Sequence, residues 1–227
     1  MAVSNAAFAK DKSAPDTKVS EDQQAEDKAL MQAMLHIAQR QFDAALTLIE
    51  PIVAIHDAQA ATEKRQIFSA RTFPEMMEYM LGSVAQGQGS VVMPYSWAMA
   101  PFLKGFALID MQRGEEAKLW LDRAVALSPS NAKFLGELGE WYKARGRLDE
   151  ATTIFKRAEI AAHFTPDDLQ SLEKGRAMRG IAWVAVEQGR LDEAETIYRQ
   201  CLTMNAQDQM AKNELAYIAE QKSKAIR

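Results

Sequence analysis

From about residue 25 the apolar residues recur at three- and four-residue intervals almost to the C-terminus, and no stretch alternates apolar and polar residues long enough to predict a sheet. The pattern predicts an all-α chain of paired helices. Residues 25–39 and 42–54 read as one antiparallel pair, with Phe42, Ala45 and Ile49 at inner-face spacing on the second helix and Pro51 as an irregularity. Residues 60–70 and 74–85 read as another, in which Pro74 suits a first helical turn because the N–H it lacks would find no partner there. The stretch 87–94, from Gly87 through Val91, Val92 and Met93 to Pro94, reads as an irregular connection.

Beyond it the pattern sharpens. The hexapeptide GRLDEA stands at residues 146–151 and again at 189–194, followed by Ile154-Phe155-Lys156 in one copy and Ile197-Tyr198-Arg199 in the other. The alanine that ends it sets the phase: Ala117 and Ala151 lie 34 residues apart, Ala151 and Ala194 43. The second interval is one such period plus nine residues. That excess falls over residues 163–172, where Thr165-Pro166-Asp167-Asp168 predicts a helix stop and a new start. The carboxylates Asp149, Glu150, Asp192 and Glu193 follow turn glycines, where negative charge stabilises a helix N-terminus. They read as structural.

A 34-residue helix-turn-helix period resembles the tetratricopeptide repeat. The unit starting at Ala132 carries Leu135, Leu138, Gly139 and Tyr142, then Ala151, Phe155 and Ala158; the unit starting at Ala98 carries Gly105, Leu108, Ala117, Leu121, Ala124 and the closing Pro129. The unit starting at Gly175 carries Met178, Ile181, Ala182, Ala194, Tyr198 and Cys201. The family match implies a right-handed α-solenoid of stacked antiparallel hairpins. Small residues at Gly105, Gly139 and Ala182 would let paired helices approach, and each hairpin would bury its apolar face on the next. The organisation expected is a flexible polar tail over residues 1–24, degenerate hairpins over 25–97, three repeats over 98–205, and a capping helix with its tail over 206–227.

Composition narrows the chemistry. The chain has 227 residues and a net charge of −4, with no clustered Lys and Arg of the kind that phosphate contacts need, so nucleic acid is not an expected partner. No apolar run approaches the length of a membrane span. One cysteine, Cys201, excludes an internal disulfide and is expected to be a small buried hydrophobe. His36, His56 and His163 lack metal-ligand spacing, and no metalloprotease, nucleophile-elbow or phosphate-loop motif is present. No cofactor, metal or catalytic activity is expected. Ala7-Phe8-Ala9 has the small-x-small form of a signal-peptidase site but lacks a basic n-region and an apolar core before it. The sequence as it stands predicts a cytoplasmic protein; an upstream signal removed at that site would make it periplasmic.

The resemblance further implies a concave surface built from first helices, whose second, fifth, ninth and twelfth residues share a face. With the adjoining Glu137, the candidate partner-binding set is Met99, Phe102, Phe106, Lys133, Glu137, Glu140, Lys143, Arg176, Arg179 and Trp183. Phe102 and Phe106 have a second reading as core beneath the preceding hairpin. The four charged residues of the middle repeat have a second reading as a solvated ladder. Arg176 and Arg179, three apart, are expected to converge on one spot and hold a carboxylate. Some members of the family grip a C-terminal carboxylate with Lys and Asn at positions here taken by Phe102, Phe106 and Glu137, so that clamp is not expected. The function expected is a non-catalytic adaptor for a protein or peptide partner; the alternative is a dedicated chaperone or immunity-type inhibitor of a secreted bacterial protein.

Overall fold

A computed structural model describes residues 20–225. Of the tail expected over residues 1–24, residues 1–19 with the small-x-small site lie outside the described residues, and Glu21 to Gln24 form the first turn of a helix, capped by Ser20. The chain forms α1 (Glu21–Ala38), α2 (Phe42–Ala60), β1 (Gln66–Ser69), α3 (Phe73–Ala85), β2 (Ser90–Met93), α4 (Ser96–Asp110), α5 (Gly114–Leu127), α6 (Ala132–Lys143), α7 (Leu148–Ala161), α8 (Asp167–Glu187), α9 (Leu191–Met204) and α10 (Gln209–Ala225). The pairs α1/α2, α4/α5, α6/α7 and α8/α9 pack as hairpins, α1 and α2 also pack on α4, and α10 covers α9.

The four hairpins share one turn. Gln41, Arg113, Arg147 and Arg190 each donate a backbone N–H to the carbonyl five residues earlier, and the preceding residue takes a positive φ: 59° at Arg40, 61° at Gln112, 68° at Gly146 and 72° at Gly189. This is the left-handed stop that closes a helix by satisfying its last carbonyls. Glycine takes that conformation without a Cβ penalty, which is why it stands in the two GRLDEA copies. The arginine after the turn then folds back on the first turn of the second helix, as in the Arg147–Glu150 ion pair at 2.6 Å and the Arg113–Glu116 pair at 2.7 Å. Four residues on, Ala45, Ala117, Ala151 and Ala194 are fully buried, marking where the two helices of each hairpin cross most closely. Sequence phase and packing coincide there.

Between the first and second hairpins the structure departs from expectation. No helix forms over residues 60–70. Instead α2 runs on to Ala60, and Gln66–Ser69 pairs in parallel with Ser90–Met93 across α3, so residues 66–93 make a small β–α–β insert. Ile67, Phe68, Val91 and Val92 are β-branched or aromatic, and such side chains fit a pleated strand better than a helix interior. Thr72 starts α3 by accepting the N–H of Glu75 on Oγ1, with Pro74 in the first turn. One side of α3 carries the exposed apolar residues Phe73, Met80, Leu81 and Val84.

The nine-residue excess of the last repeat appears as a short 3-10 turn, Ala162–Phe164, and a lengthened first helix: α8 has 21 residues where α6 has 12. Its added turns hold the insert. Arg71, between β1 and α3, donates two hydrogen bonds to Glu173 at 2.8 and 2.9 Å and a third to Thr165, while Thr72 donates to the Phe164 carbonyl. The apolar core runs unbroken from α1 to α8 through Ile49, Leu103, Phe134, Leu138 and Ala177, and a second cluster around Tyr198 and Ile218 seats α10 on the last repeat.

Candidate functional site

First helices expose one common face because each second helix covers the other side. Three adjoining cavities lie along that face, of about 590, 570 and 550 Å³. All ten candidate partner-binding residues line at least one of them, and Arg176 lines all three. The structure therefore gathers the set that the repeat register selected.

The largest cavity opens between α1, α4 and α6. Phe102 and Phe106 form its wall with Met34 and Ile37 from α1, and Lys133, Glu137 and Arg176 complete it. Phe102 is only 3% exposed, held against Phe134 with ring centroids 4.6 Å apart, so it shapes the wall chiefly from within the core. Phe106 is half-buried and offers more of its ring to the opening. At the other end Trp183, Tyr198, Met210 and Glu214 line the third cavity with Glu140 and Lys143. Lys143 pairs with Glu140 and sits 5.0 Å from the Trp183 ring centroid, a cation–π contact that fixes the indole.

The middle cavity is walled by elements the repeat does not include. Arg71 and Tyr95 come from the insert and its exit, and Leu169, Leu172 and Glu173 from the added turns of α8; Met99, Lys133 and Arg176, the second residues of three successive repeats, form its floor. Lys133 lines the largest cavity as well. Burial holds its ammonium below the ordinary lysine value; Glu173 and Glu137 oppose that shift and the positive charges of Arg71 and Arg176 add to it.

Arg176 and Arg179 do not converge on one spot. Arg176 donates to Glu137 on α6 at 2.7 Å, and Arg179 to Asp208, before α10, at 2.6 Å. Each guanidinium is drawn to a different largely buried carboxylate on a neighbouring element, 9% and 7% exposed, because an unpaired charge there would cost more than the pair gains. Glu137 is thus a partner of Arg176 and not a rung of a solvated ladder. Among the residues that register reasoning missed are Met34 and Ile37 on α1, Arg40 in the turn after it, the insert's Arg71, and Leu169 and Leu172 on α8. A signal existed for the last two: the nine surplus residues of the 43-residue interval. For Arg71 there was none.

Among the described residues no group of three or more His, Cys, Asp and Glu side chains could hold a metal ion, and no helix is long and apolar enough to cross a membrane.

Comparison with known proteins places this geometry. No curated protein matches the chain in sequence. Residues 130–207 match the family model of the tetratricopeptide repeat. A solved structure from a functional characterisation of Pseudomonas aeruginosa pilF superposes with a TM-score of 0.65 at 13% identity, covering 91% of this chain and 73% of that one. Another, the nearly identical tetratricopeptide-like repeats of a putative kinesin light chain from Podospora anserina, gives 0.59 at 17% identity and covers 88% of each chain. At such identities the likeness is one of fold. With hairpins in the repeat's register and the same fold along most of its length, the chain is an α-solenoid of tetratricopeptide-like hairpins, and its residues 130–207 match the tetratricopeptide repeat in sequence.

Proposed function

We propose that the chain is a non-catalytic scaffold that holds a polypeptide along its first-helix face. One observation carries this reading: three cavities adjoin on that face and meet at Arg176, so a single extended segment can lie across all of them. Their linings mix apolar and aromatic side chains with charged groups, the combination from which protein interfaces draw much of their binding energy. Methionines at Met34, Met99 and Met210 supply side chains that adapt to irregular shapes.

A photo-crosslinking amino acid placed in turn at Phe106, Trp183, Leu119 and Ile160 tests this in cells. Leu119 and Ile160 are 70% and 73% exposed on second helices and line none of these three cavities. The same partner polypeptide is expected to be captured from Phe106 and Trp183 and not from the other two. Capture confined to Leu119 or Ile160 would place the partner on the wrong face and end the proposal.

A further inference from the structure

The middle cavity has a charge balance that selects its occupant. Four cationic side chains line it, and three already hold a carboxylate: Arg71 is paired with Glu173, Arg176 with Glu137 and Arg179 with Asp208. Lys133 is the remainder. Its Nζ makes no ion pair or hydrogen bond among the described residues; its one polar contact is with the face of the Phe102 ring, 5.1 Å from the centroid. The cavity therefore lacks a single negative charge. A phosphate dianion would overshoot, whereas a carboxylate matches. Beside this ammonium stand Met99, Tyr95, Leu169 and Leu172, and the two leucines remain exposed on the rim at 36% and 64%.

We infer that the cavity between the insert and the lengthened α8 takes one carboxylate of a bound polypeptide on Lys133, with a neighbouring apolar side chain of the same segment seated against Met99, Leu169 and Leu172. This rests on the scaffold reading above and adds the ligand's chemistry. Two features support it. The lysine is kept half-buried without a partner, so its charge is compensated only when an anion arrives, and a charge-assisted hydrogen bond in such surroundings is stronger than a neutral one. Burial holds the ammonium below the ordinary lysine value in spite of Glu173 and Glu137, and an arriving carboxylate would raise it further. Moreover, the walls belong to parts of this chain that interrupt the repeat. Arg71 and Glu173, locked to each other, brace the cavity without contributing net charge.

Four capped probes test the inference against the full chain: acetyl-leucine and acetyl-Leu-Glu-amide, which carry a main-chain and a side-chain carboxylate, and their uncharged counterparts acetyl-leucinamide and acetyl-Leu-Gln-amide. The reporter is the methyl signal of Met99 in an isotope-labelled NMR titration. At least one carboxylate probe is expected to shift that signal saturably and about tenfold more tightly than its uncharged counterpart. Whichever carboxylate binds more tightly identifies a chain terminus or an acidic side chain as the source. Lys133→Leu should bring each charged and uncharged pair to within about twofold, and Lys133→Arg should keep the preference; the methyl spectrum of each variant shows whether it is folded. Equal binding of charged and uncharged probes, no saturable shift with any probe, or a preference that survives Lys133→Leu would overturn the inference. None of those results touches crosslinking from Phe106 and Trp183, so the scaffold reading stands or falls separately.

Discussion

The ring of Phe155 lies so close to Gly180 that a Cβ on that glycine would stand 2.6 Å from it. Gly139, on the opposite neighbour α6, meets the same ring at the same distance. One aromatic side chain of α7 thus occupies space opened by missing side chains on both flanking helices. Gly180→Ala forces the ring or a helix to move, and a loss of about 1–3 kcal/mol is expected from such overpacking. Phe155→Ala removes the ring and should cost about 3–5 kcal/mol. Urea denaturation of both variants checks the order; a neutral Gly180→Ala would show that the seam between α7 and α8 is slack.

The Arg71–Glu173 pair joins the insert to the lengthened α8 with side chains only 13% and 10% exposed. Arg71→Ala leaves a carboxylate in that site without its cation, and a loss of about 3–5 kcal/mol is expected. The local effect is more telling than the total. Amide exchange should accelerate over residues 66–93 well before it does in α9 and α10. Uniform acceleration along the chain would contradict the assignment of the pair as the insert's tether.

Two buried carboxyls give opposite pH dependences. Burial disfavours ionised Glu173, but the hydrogen bonds and charge of Arg71 outweigh it and hold the carboxyl below the ordinary range. Its contribution is complete above the ordinary carboxylate pKa and is lost as pH falls through the lowered folded value. Glu75 is 1% exposed, and burial pushes its carboxyl up despite hydrogen bonds from Tyr79 and the Arg71 N–H. Its contribution is complete below the ordinary value and fades as pH rises through the raised folded one. Glu75→Gln should therefore gain on the wild type as pH rises, and the deficit of Glu173→Gln should shrink in acid. Urea midpoints measured across pH read both trends; parallel curves for all three proteins would refute them.

Cys201 is 1% exposed on α9, and burial pushes its thiol up to about 11. The thiolate is the reactive form, so at neutral pH a disulfide reagent should label the native protein far more slowly than the urea-unfolded chain. Rapid labelling without denaturant would mean that α9 opens frequently from α8.

Hairpin register was legible because it depends on local rules: a small residue where helices cross and a left-handed turn before it. Ala45 obeys the same rule as Ala151, which is why the first hairpin was readable although the rest of its sequence drifts. The strands were not legible. Gln66–Ser69 and Ser90–Met93 are four residues each, too short to show a period, and they satisfy their backbones only by finding each other across α3. The cavity linings lay between these cases. Register identified the faces of α4, α6 and α8, but which carboxylate each arginine meets is decided when hairpins stack. The spacing of Arg176 and Arg179 could not reveal Glu137 and Asp208 as separate partners.

The tether from Arg71 to Glu173 spans 102 residues of sequence, whereas contacts in a repeat array ordinarily join neighbours alone. An array with nearest-neighbour contacts can unzip from either end, one hairpin at a time. Here the hairpins α4/α5 and α6/α7 lie inside a loop closed by that pair, so the insert and these two hairpins stay joined to the last repeat until the tether breaks. The tether thereby couples the first-helix faces of α4, α6 and α8 to one another more tightly than stacking of neighbours alone would.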